Sequence, residues 1–360
     1  GTDDCTVYDS TYFRCKSVYG GAARKGGVYR SLMYECSASN SGGAGYQGYF
    51  YDCIVSNCTA EGGVGGAASM YVLSGTLFVE NGGSGVLNIG NSNELITNCT
   101  VIAKNGSALR TLKVKQTSGE VVDCTLVSLN GVGVQIGNDN GDAGIRMRRC
   151  TVTVPEAAKN NDVRLQVNNA KVAQVKAEAP VTIETNSAMG ETPVEAVEAK
   201  ANVTVTGAAT NVGKVTVPKE AENAVKLTVT DAKVAEVSAE KPVTIEANEN
   251  ASKIDRVEAK ANVTVASATQ IDKVEAKAPV TVDGAKTKIE TITVPEKLDT
   301  TPEITVTAGS VNTVKADGKA KVSGTAANAI ANVEAAAPVT VDSAAVAKVT
   351  VVSVKVSVTV

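Results

Sequence analysis

The sequence predicts an all-β fold, a single-stranded right-handed parallel β-helix or β-solenoid with about 20 residues per coil. The first observation is the stretch Val257–Val265, in which apolar and polar residues alternate strictly, as in a strand with one buried face. The second is that this stretch recurs along the chain, at Val175–Ile183, Val197–Val205, Val237–Ile245, Val274–Val282 and Val333–Val341. A short unit repeated at a nearly fixed period is typical of a solenoid.

The period is clearest in the second half of the chain. The residues that open each repeat are Val175, Val197, Val217, Val237, Val257, Val274, Val294, Val314, Val333 and Val351. Steps near 20 residues predict one turn of solenoid each. We therefore expect residues 155–360 to form Val/Ala/Thr/Lys-rich solenoid coils.

Residues 1–154 differ in composition but keep the same period. Glycine pairs mark this region, at Gly20-Gly21, Gly42-Gly43, Gly62-Gly63 and Gly82-Gly83. A glycine at a fixed place in every coil indicates a corner that needs positive φ or a close approach of two backbones. We expect Gly/Cys-rich β-helix coils here, continuous with those of residues 155–360.

Cysteines follow the same period in the first region. A column of six is predicted, consisting of Cys15, Cys36, Cys58, Cys99, Cys124 and Cys150, with Phe78 near the place where a cysteine is missing. The favoured interpretation is that these side chains are small buried hydrophobes. The alternative is a set of disulfides between adjacent coils, because Cα atoms one coil apart lie within disulfide range.

Composition excludes several classes of function. The net charge is only −3, which does not favour a nucleic-acid partner. The chain has no histidine, no Gly-x-Ser-x-Gly elbow and no phosphate-binding loop, so no catalytic set is visible and no cofactor is expected. No apolar run is long enough to span a membrane.

The loop at residues 137–142 resembles a calcium-binding turn through Asp139, Asn140 and Asp142. It lacks the closing acidic residue of an EF-hand loop, so a solvated corner is the favoured interpretation and no metal site is predicted.

Polar side chains occupy the outward positions of the second region. Glu258 and Lys260 are an example, and such residues on stacked strands form ladders of mixed sign that favour solubility. A threonine column is also predicted, at Thr182, Thr204, Thr244, Thr264, Thr281, Thr305 and Thr340. One threonine per strand beside charged columns is more typical of an exposed strand than of an ice-binding surface.

The glycine pairs and the Asn98-Cys99-Thr100 rhythm are similar to right-handed parallel β-helix proteins of bacterial cell surfaces, including polymorphic outer-membrane-type passengers. The region after residue 154 resembles solenoid segments of large secreted proteins of Gram-positive bacteria. The resemblance implies an extracellular or cell-surface location. It does not imply an activity, because one fold hosts many functions.

We therefore expect a secreted or cell-surface structural protein, a stalk, adhesin segment or fibre subunit. The alternative is a polysaccharide-binding or polysaccharide-degrading β-helix protein, and a surface glycan is an expected partner in either case. Self-association by end-to-end strand addition is also predicted. Its candidate residues are the alternating Val354, Val356, Val358 and Val360, which continue a strand pattern to the last residue.

Overall fold

The protein is a parallel β-solenoid with about 22 residues per turn, as seen in a computed structural model. The structure describes the chain outside residues 63–64, 83–84, 90–93, 104–106, 112–116, 130–131, 137–142, 159–162, 168–171, 186–193, 209, 249–251, 326–328, 343, 345, 352–356 and 360. Every strand pair in the described residues is parallel, and the one helical segment there is a short 3-10 turn at Glu156–Ala158. The predicted all-β parallel β-solenoid is confirmed, with about 22 residues per turn where the sequence indicated about 20.

The chain divides into two compact units, Gly1–Glu195 and Ala196–Val360. The strand Val194–Ala199 contains the boundary. The change of composition near residue 154 instead marks the place where one column of strands in the first unit ends, after Ala143–Arg148.

Strands of the first unit stack into four columns, here called ladders A to D. Ladder A contains Thr2–Asp3, Ala23–Arg24, Gly45–Tyr46, Ala68–Ser69, Gly85–Ile89, Ser107–Thr111, Val132–Ile136, Val163–Val167 and Val181–Glu184. Ladder B contains Val7–Tyr8, Gly27–Tyr29, Tyr49–Tyr51, Val72–Ser74, Glu94–Thr97, Thr117–Val122 and Ala143–Arg148. Ladder C contains Thr11–Phe13, Leu32–Tyr34, Ile54–Ser56, Leu77–Asn81, Thr100–Ala103, Thr125–Ser128, Thr151–Val154 and Val172–Ala177. Ladder D contains Lys16–Tyr19, Ser37–Ser41 and Thr59–Ala60.

A five-residue pattern builds the corners between these short strands. A residue in the left-handed conformation ends a strand, the next side chain points into the core, and a new strand follows. Corner BC, between ladders B and C, has this conformation at Asp9, Arg30, Asp52, Gly75, Asn98, Asp123 and Arg149. Corner CD, between ladders C and D, has it at Arg14, Glu35, Asn57 and Glu80. Non-glycine residues with positive φ are uncommon, so their recurrence at matching places shows that the stacked turns impose this conformation.

Glycine is required at the corner between ladders D and A. Gly20, Gly42 and Gly65 have φ near +60° there. Each is followed by a second glycine, and at Gly43 a side chain would collide with the backbone oxygen of Gly66 in the next turn. The third glycine pair of this corner is therefore Gly65-Gly66 and not the predicted Gly62-Gly63, because residues 65 and 66 are the ones that stack on the second turn.

The second unit has two columns of strands, ladders E and F. Ladder E contains Val203–Thr206, Val225–Thr230, Val243–Ala247, Val263–Ser267, the first parts of Val280–Val294 and Glu303–Ala316, then Ala320–Gly324, Val339–Val341 and Val358–Thr359. Ladder F contains Asn211–Val217, Lys233–Ala239, Lys253–Ala259, Gln270–Ala276, the second parts of the same two long strands, then Ile330–Ala335 and Val349–Val351.

The nine-residue repeat of the sequence is a pair of strands. Val257 lies in a ladder F strand and Val263 in a ladder E strand, with a corner at residues 260–262 between them. Val257, Ala259, Val263 and Val265 are all buried, so the alternation of the sequence is confirmed within each strand.

Stacking in ladder F differs from the predicted sequence of opening residues at three turns. One column of ladder F contains five of the predicted opening residues, Val237, Val257, Val274, Val314 and Val333. Val215, Ile292 and Val349 occupy the places predicted for Val217, Val294 and Val351. Each shift is two residues, which keeps the same face inward, so the hydrophobic alternation alone does not reveal it.

Candidate functional site

The cysteines form two columns and not the single one predicted from the sequence. Cys15, Cys36 and Cys58 follow the left-handed residues of corner CD, and the backbone carbonyl of each accepts a hydrogen bond from a backbone amide of the next turn. Cys99, Cys124 and Cys150 follow those of corner BC. We call these sets the CD trio and the BC trio.

Each corner carries other small residues in the remaining turns. Above the CD trio the position belongs to Asn81, whose side-chain oxygen accepts the Cys58 amide at 2.8 Å and whose nitrogen donates to the Val55 carbonyl at 2.9 Å. Asn81, and not Phe78, therefore stands where the fourth cysteine is missing, while Phe78 is in the core of ladder C. Below the BC trio lie Thr76 and then Cys53, which is also buried.

Both corners share one sequence signal, a polar residue followed by a small one, and this is why a single column was predicted. Asn57-Cys58-Thr59 and Asn98-Cys99-Thr100 look alike in sequence although they belong to different corners. The five-residue spacing of left-handed residues, for example Asp9, Arg14 and later Arg30, Glu35, would have separated them.

Thiol groups of the trios point into the core and meet carbonyl groups. The Cys58 thiol donates to the Ser56 carbonyl at 3.4 Å, and the Cys150 thiol donates to the Val121 carbonyl of the preceding turn at 3.3 Å. All eight cysteines of the chain are free thiols in the structure; Cys5 is exposed, Cys15 is half-buried, and the other six are buried.

Neighbouring thiols of a trio also affect one another. A hydrogen bond from Cys58 lowers the pKa of the Cys36 thiol to about 6, and the same contact, with burial, raises the pKa of Cys58. In the BC trio a hydrogen bond from Cys124 lowers the pKa of Cys99. The pKa of Cys124 is affected most by a hydrogen bond with Cys150, which lowers it. The hydrogen bond with Cys99 and burial together outweigh that effect and raise the pKa of Cys124 to about 12. Each trio therefore releases a first proton more readily than further ones.

Aromatic side chains stack along the outside of the first unit. Tyr8, Tyr29 and Tyr51 on ladder B have ring centroids 4.8 Å apart at both steps, with interplanar angles of 20° and 8°. Phe13 and Tyr34 stack similarly on ladder C at 5.7 Å. Because the ring faces are covered by neighbouring rings, this column joins successive turns and leaves its ring edges exposed.

Corner residues join the same turns through charge. Arg30 holds Asp9 through two hydrogen bonds of 2.9 and 2.8 Å, and its guanidinium lies 5.6 Å from the Tyr8 ring centroid. Arg149 holds Asp123 in the same way at 2.6 and 2.7 Å. The pKa of Asp9 and that of Asp123 are lowered, in each case chiefly by the hydrogen bond from the arginine.

The outward Glu and Lys residues of the second unit form a connected network on ladder F. Lys277 lies 2.6 Å from Glu258 and 2.9 Å from Glu275, and Lys260 lies 3.3 Å from both Glu258 and Glu240. Burial raises the pKa of Glu258, but hydrogen bonds and charge from Lys277 and Lys260 outweigh it and lower this pKa to about 2. The predicted ladder of mixed sign is confirmed.

The threonine column is shorter than the sequence indicated. Thr244, Thr264, Thr281 and Thr305 do stack on ladder E. Thr204 stacks on Thr228, and Thr340 stacks on Lys321. The irregular lengths of the corners shift these strands by two residues and interrupt the column.

A polar trough of about 490 Å³ lies at the start of the ladder F strands. Its walls carry Gln270, Asp272, Lys288, Glu290, Ser310 and Asn312. The acidic groups have partners of their own, since Asn312 donates to Glu290 at 2.6 Å and Lys253 lies 2.6 Å from Asp272. Sequence reasoning missed this trough because its residues are spaced a full turn apart.

Two sets of predicted residues lie outside the described part of the chain. Asp139, Asn140 and Asp142 are among them, as are Val354, Val356 and Val360. Val358 lies in the strand Val358–Thr359, which pairs with Val339–Val341.

Among the described residues, no group of three or more His, Cys, Asp or Glu side chains converges on a point suited to a metal ion. The described residues also contain no helix long and apolar enough to cross a membrane. Comparison with known proteins finds no matching protein-family model, curated protein or solved structure.

Proposed function

We propose that this protein is a secreted or cell-surface structural protein, acting as a stalk, adhesin segment or fibre subunit. One observation carries the proposal: outward side chains of both units are engaged in bonding each turn to the next. Stacked tyrosines, corner ion pairs and the Glu258 network all run along the ladders. Side chains used in this way resist separation of the turns, as a stalk or fibre under tension requires.

Mechanical unfolding of the single molecule tests this role. A stalk should unfold turn by turn, with length released in steps of one turn, because each turn contacts chiefly its neighbours. Loss of the whole contour length in one low-force event would contradict a structural role under load. A matched variant, Arg30→Met, removes a corner ion pair and should lower the force only for the steps of the first unit.

End-to-end association is a further part of the proposal. The strands Thr2–Asp3, Val7–Tyr8, Thr11–Phe13 and Lys16–Tyr19 each pair, within the described chain, with one strand, that of the following turn. Strand addition by a second copy would continue this parallel pairing. Electron microscopy of the purified chain should show fibres one solenoid wide. A monodisperse monomer at high concentration, unchanged by deletion of residues 349–360, would contradict association.

Polysaccharide binding or degradation is the second candidate, favoured by the polar trough of ladder F. Its walls offer amide, hydroxyl, ammonium and carboxylate groups, which suit a hydroxyl-rich ligand. Binding of soluble polysaccharides without turnover would select a binding role. Turnover that is abolished by Glu290→Gln and retained by Glu246→Gln, a change on ladder E, would select an enzyme and overturn the structural proposal.

A further inference from the structure

The spacing of cysteines within each trio determines whether neighbouring members can form a disulfide or hold a metal ion between them. Members of a trio occupy the same position in successive turns of a parallel stack. Strands in such a stack are about 4.8 Å apart, so ideal geometry gives equivalent Cα atoms and equivalent Cβ atoms about that separation. A disulfide needs Cβ atoms about 3.5–4.5 Å apart. Equivalent positions in stacked turns are therefore too far apart for a disulfide unless one turn moves.

The same spacing fits a metal ion between two sulfurs. A metal–thiolate bond is about 2.3 Å long, so two collinear bonds span about 4.6 Å. That span is close to the strand spacing of about 4.8 Å. Soft closed-shell ions such as Cu⁺, Ag⁺ and Hg²⁺ bind two thiolates in a line, whereas Zn²⁺ requires four ligands around it.

We propose that the CD trio, Cys15, Cys36 and Cys58, and the BC trio, Cys99, Cys124 and Cys150, are binding sites for a soft two-coordinate cation held between thiolates of successive turns. The donors stand in a row and do not surround a point. A set of this kind is distinct from the convergent clusters that hold zinc or calcium.

The environment of the trios favours a bound cation. The sulfurs lie in the core beside carbonyl oxygens, as Cys58 does beside the Ser56 and Met33 carbonyls. Carbonyl oxygens disfavour a bare thiolate and favour a positive ion between two sulfurs. Within the part of the chain that the structure describes, no group of three or more His, Cys, Asp or Glu side chains converges as a harder ion would require.

Binding is balanced in atoms and charge. Two thiols release two protons to solvent, two S–H bonds break and two sulfur–metal bonds form. A divalent ion then gives a neutral complex, and a monovalent ion gives one with a single negative charge. Because an apolar core disfavours net charge, Hg²⁺ should bind more tightly than Cu⁺ or Ag⁺.

The chain contains a matched control in Cys53. This thiol is buried at corner BC, but its neighbours in the adjacent turns are Ser31 and Thr76, and burial raises its pKa. It has the surroundings of a trio member without a thiol neighbour in the adjacent turns. Access also differs between the trios, since Cys15 is half-buried whereas every member of the BC trio is buried. The CD trio should therefore load faster.

The test uses the full chain in a Cys5→Ser background, which removes the exposed thiol. The protein is titrated separately with Hg²⁺, with Cu⁺ against a chromophoric Cu⁺ chelator, and with Zn²⁺. Sulfur-to-metal charge-transfer absorption and native mass spectrometry are the readouts. We expect each bound Hg²⁺ to add the mass of the metal less two hydrogens, with both trios occupied and Zn²⁺ bound at least roughly a hundredfold more weakly.

Variants then locate the ions. Cys36→Ser and Cys124→Ser remove the central thiol of a trio, leaving the outer sulfurs two turns apart, and should each abolish one site. Cys53→Ser should change neither stoichiometry nor affinity. Cys58→Ser keeps the adjacent pair Cys15 and Cys36 and should retain the site, which separates loss of ligands from loss of folding. Equal loss in Cys53→Ser, Zn²⁺ binding as tight as that of Hg²⁺, or an untreated mass lower by two hydrogens per disulfide would overturn the proposal.

Discussion

The two units of the chain build the same fold from different side chains. In the first unit a turn has up to four short strands, and left-handed corners follow one another every five residues. In the second, a turn has two longer strands. Ladder E strands such as Val243–Ala247 alternate between buried and half-buried residues, whereas the ladder F strand Lys253–Ala259 has two successive outward residues, Asp255 and Arg256. The largest fully buried side chains of the described residues, among them Phe50, Phe78 and Met33, are all in the first unit.

This difference shows that the number of strands per turn determines the size of the core. Three or four short strands per turn enclose a space that Phe, Met and Leu fill, whereas turns of two longer strands have a core of Val and Ala. The number of strands per turn also sets how many tight corners a turn needs. The first unit requires tight turns at every side, and it uses glycine or imposed left-handed residues to make them.

Removal of a large core side chain should therefore affect the first unit more than the second. Phe50 is fully buried, and Phe50→Ala should destabilise the protein by about 3–5 kcal/mol. Val257 is equally buried, but Val257→Ala should cost only about 2 kcal/mol because fewer methyl groups are lost. Urea unfolding followed by far-ultraviolet circular dichroism measures both variants, and tyrosine fluorescence identifies the transition of the first unit, since every tyrosine precedes residue 72.

Equal effects of these two substitutions on the unfolding midpoint would show that the wide core does not depend on its large residues. Phe50→Leu is the control, because it keeps an apolar side chain and should recover most of the loss.

Glycines at the corners of the first unit differ in how closely the next turn approaches them. Gly43→Ala places a methyl group against the backbone oxygen of Gly66, which cannot move without displacing a turn, so we expect a loss of about 3 kcal/mol. Gly82→Ala meets only the methyl group of Thr59 at 3.0 Å, and that side chain can give way. Thermal unfolding of the two variants should differ clearly, and similar melting temperatures would contradict the structure of this corner.

The tyrosine stack should contribute to the first unit beyond its buried area. Tyr29 stacks on both Tyr8 and Tyr51, and each stacked pair is worth about 0.5–1.5 kcal/mol, so Tyr29→Leu should cost roughly 1–3 kcal/mol. Tyr49→Leu is the matched control on the same ladder, because its contact with Tyr71 is tilted by 48° at 6.3 Å. Urea midpoints from far-ultraviolet circular dichroism would compare them, and equal losses would mean that stacking adds nothing.

The sequence predicted the second unit more fully than the first. Strict alternation fixes which face of each strand is buried, so the core residues near Val257 and the outward Glu258 and Lys260 follow directly. Alternation does not reveal a shift of two residues. The sequence therefore predicted Val294 at the position next to Val274 that Ile292 occupies. Such shifts depend on corner length.

In the first unit the period and the glycine corner at Gly20 and Gly42 were predicted correctly, but the placing of all six cysteines at one corner was wrong. Cys58 and Cys99 follow similar tripeptides, but one lies at corner CD and the other at corner BC. A search for a period of 20 merges corners that differ by five residues within one turn. The trough on ladder F was not predictable either, since Asp272, Glu290 and Asn312 meet only when the turns stack.

Acid should weaken the second unit through Glu258, by a smaller amount than the core substitutions. The pKa of Glu258 is lowered to about 2, so its ionised form stabilises the folded state fully above pH 4.5, the ordinary pKa of glutamate. This stability is lost as the pH falls from about 4.5 towards 2, because the unfolded state takes up the proton first. Partial exposure to solvent reduces the contribution to the order of 1 kcal/mol.

In Glu258→Gln the carboxylate is gone, so the melting temperature followed by circular dichroism should fall less steeply than that of the wild type between pH 4.5 and about 2. The acid transition seen by tyrosine fluorescence, which reports on the first unit, should be the same in both proteins. A wild-type acid limb as shallow as that of Glu258→Gln would show that Lys277 and Lys260 do not hold this carboxylate ionised.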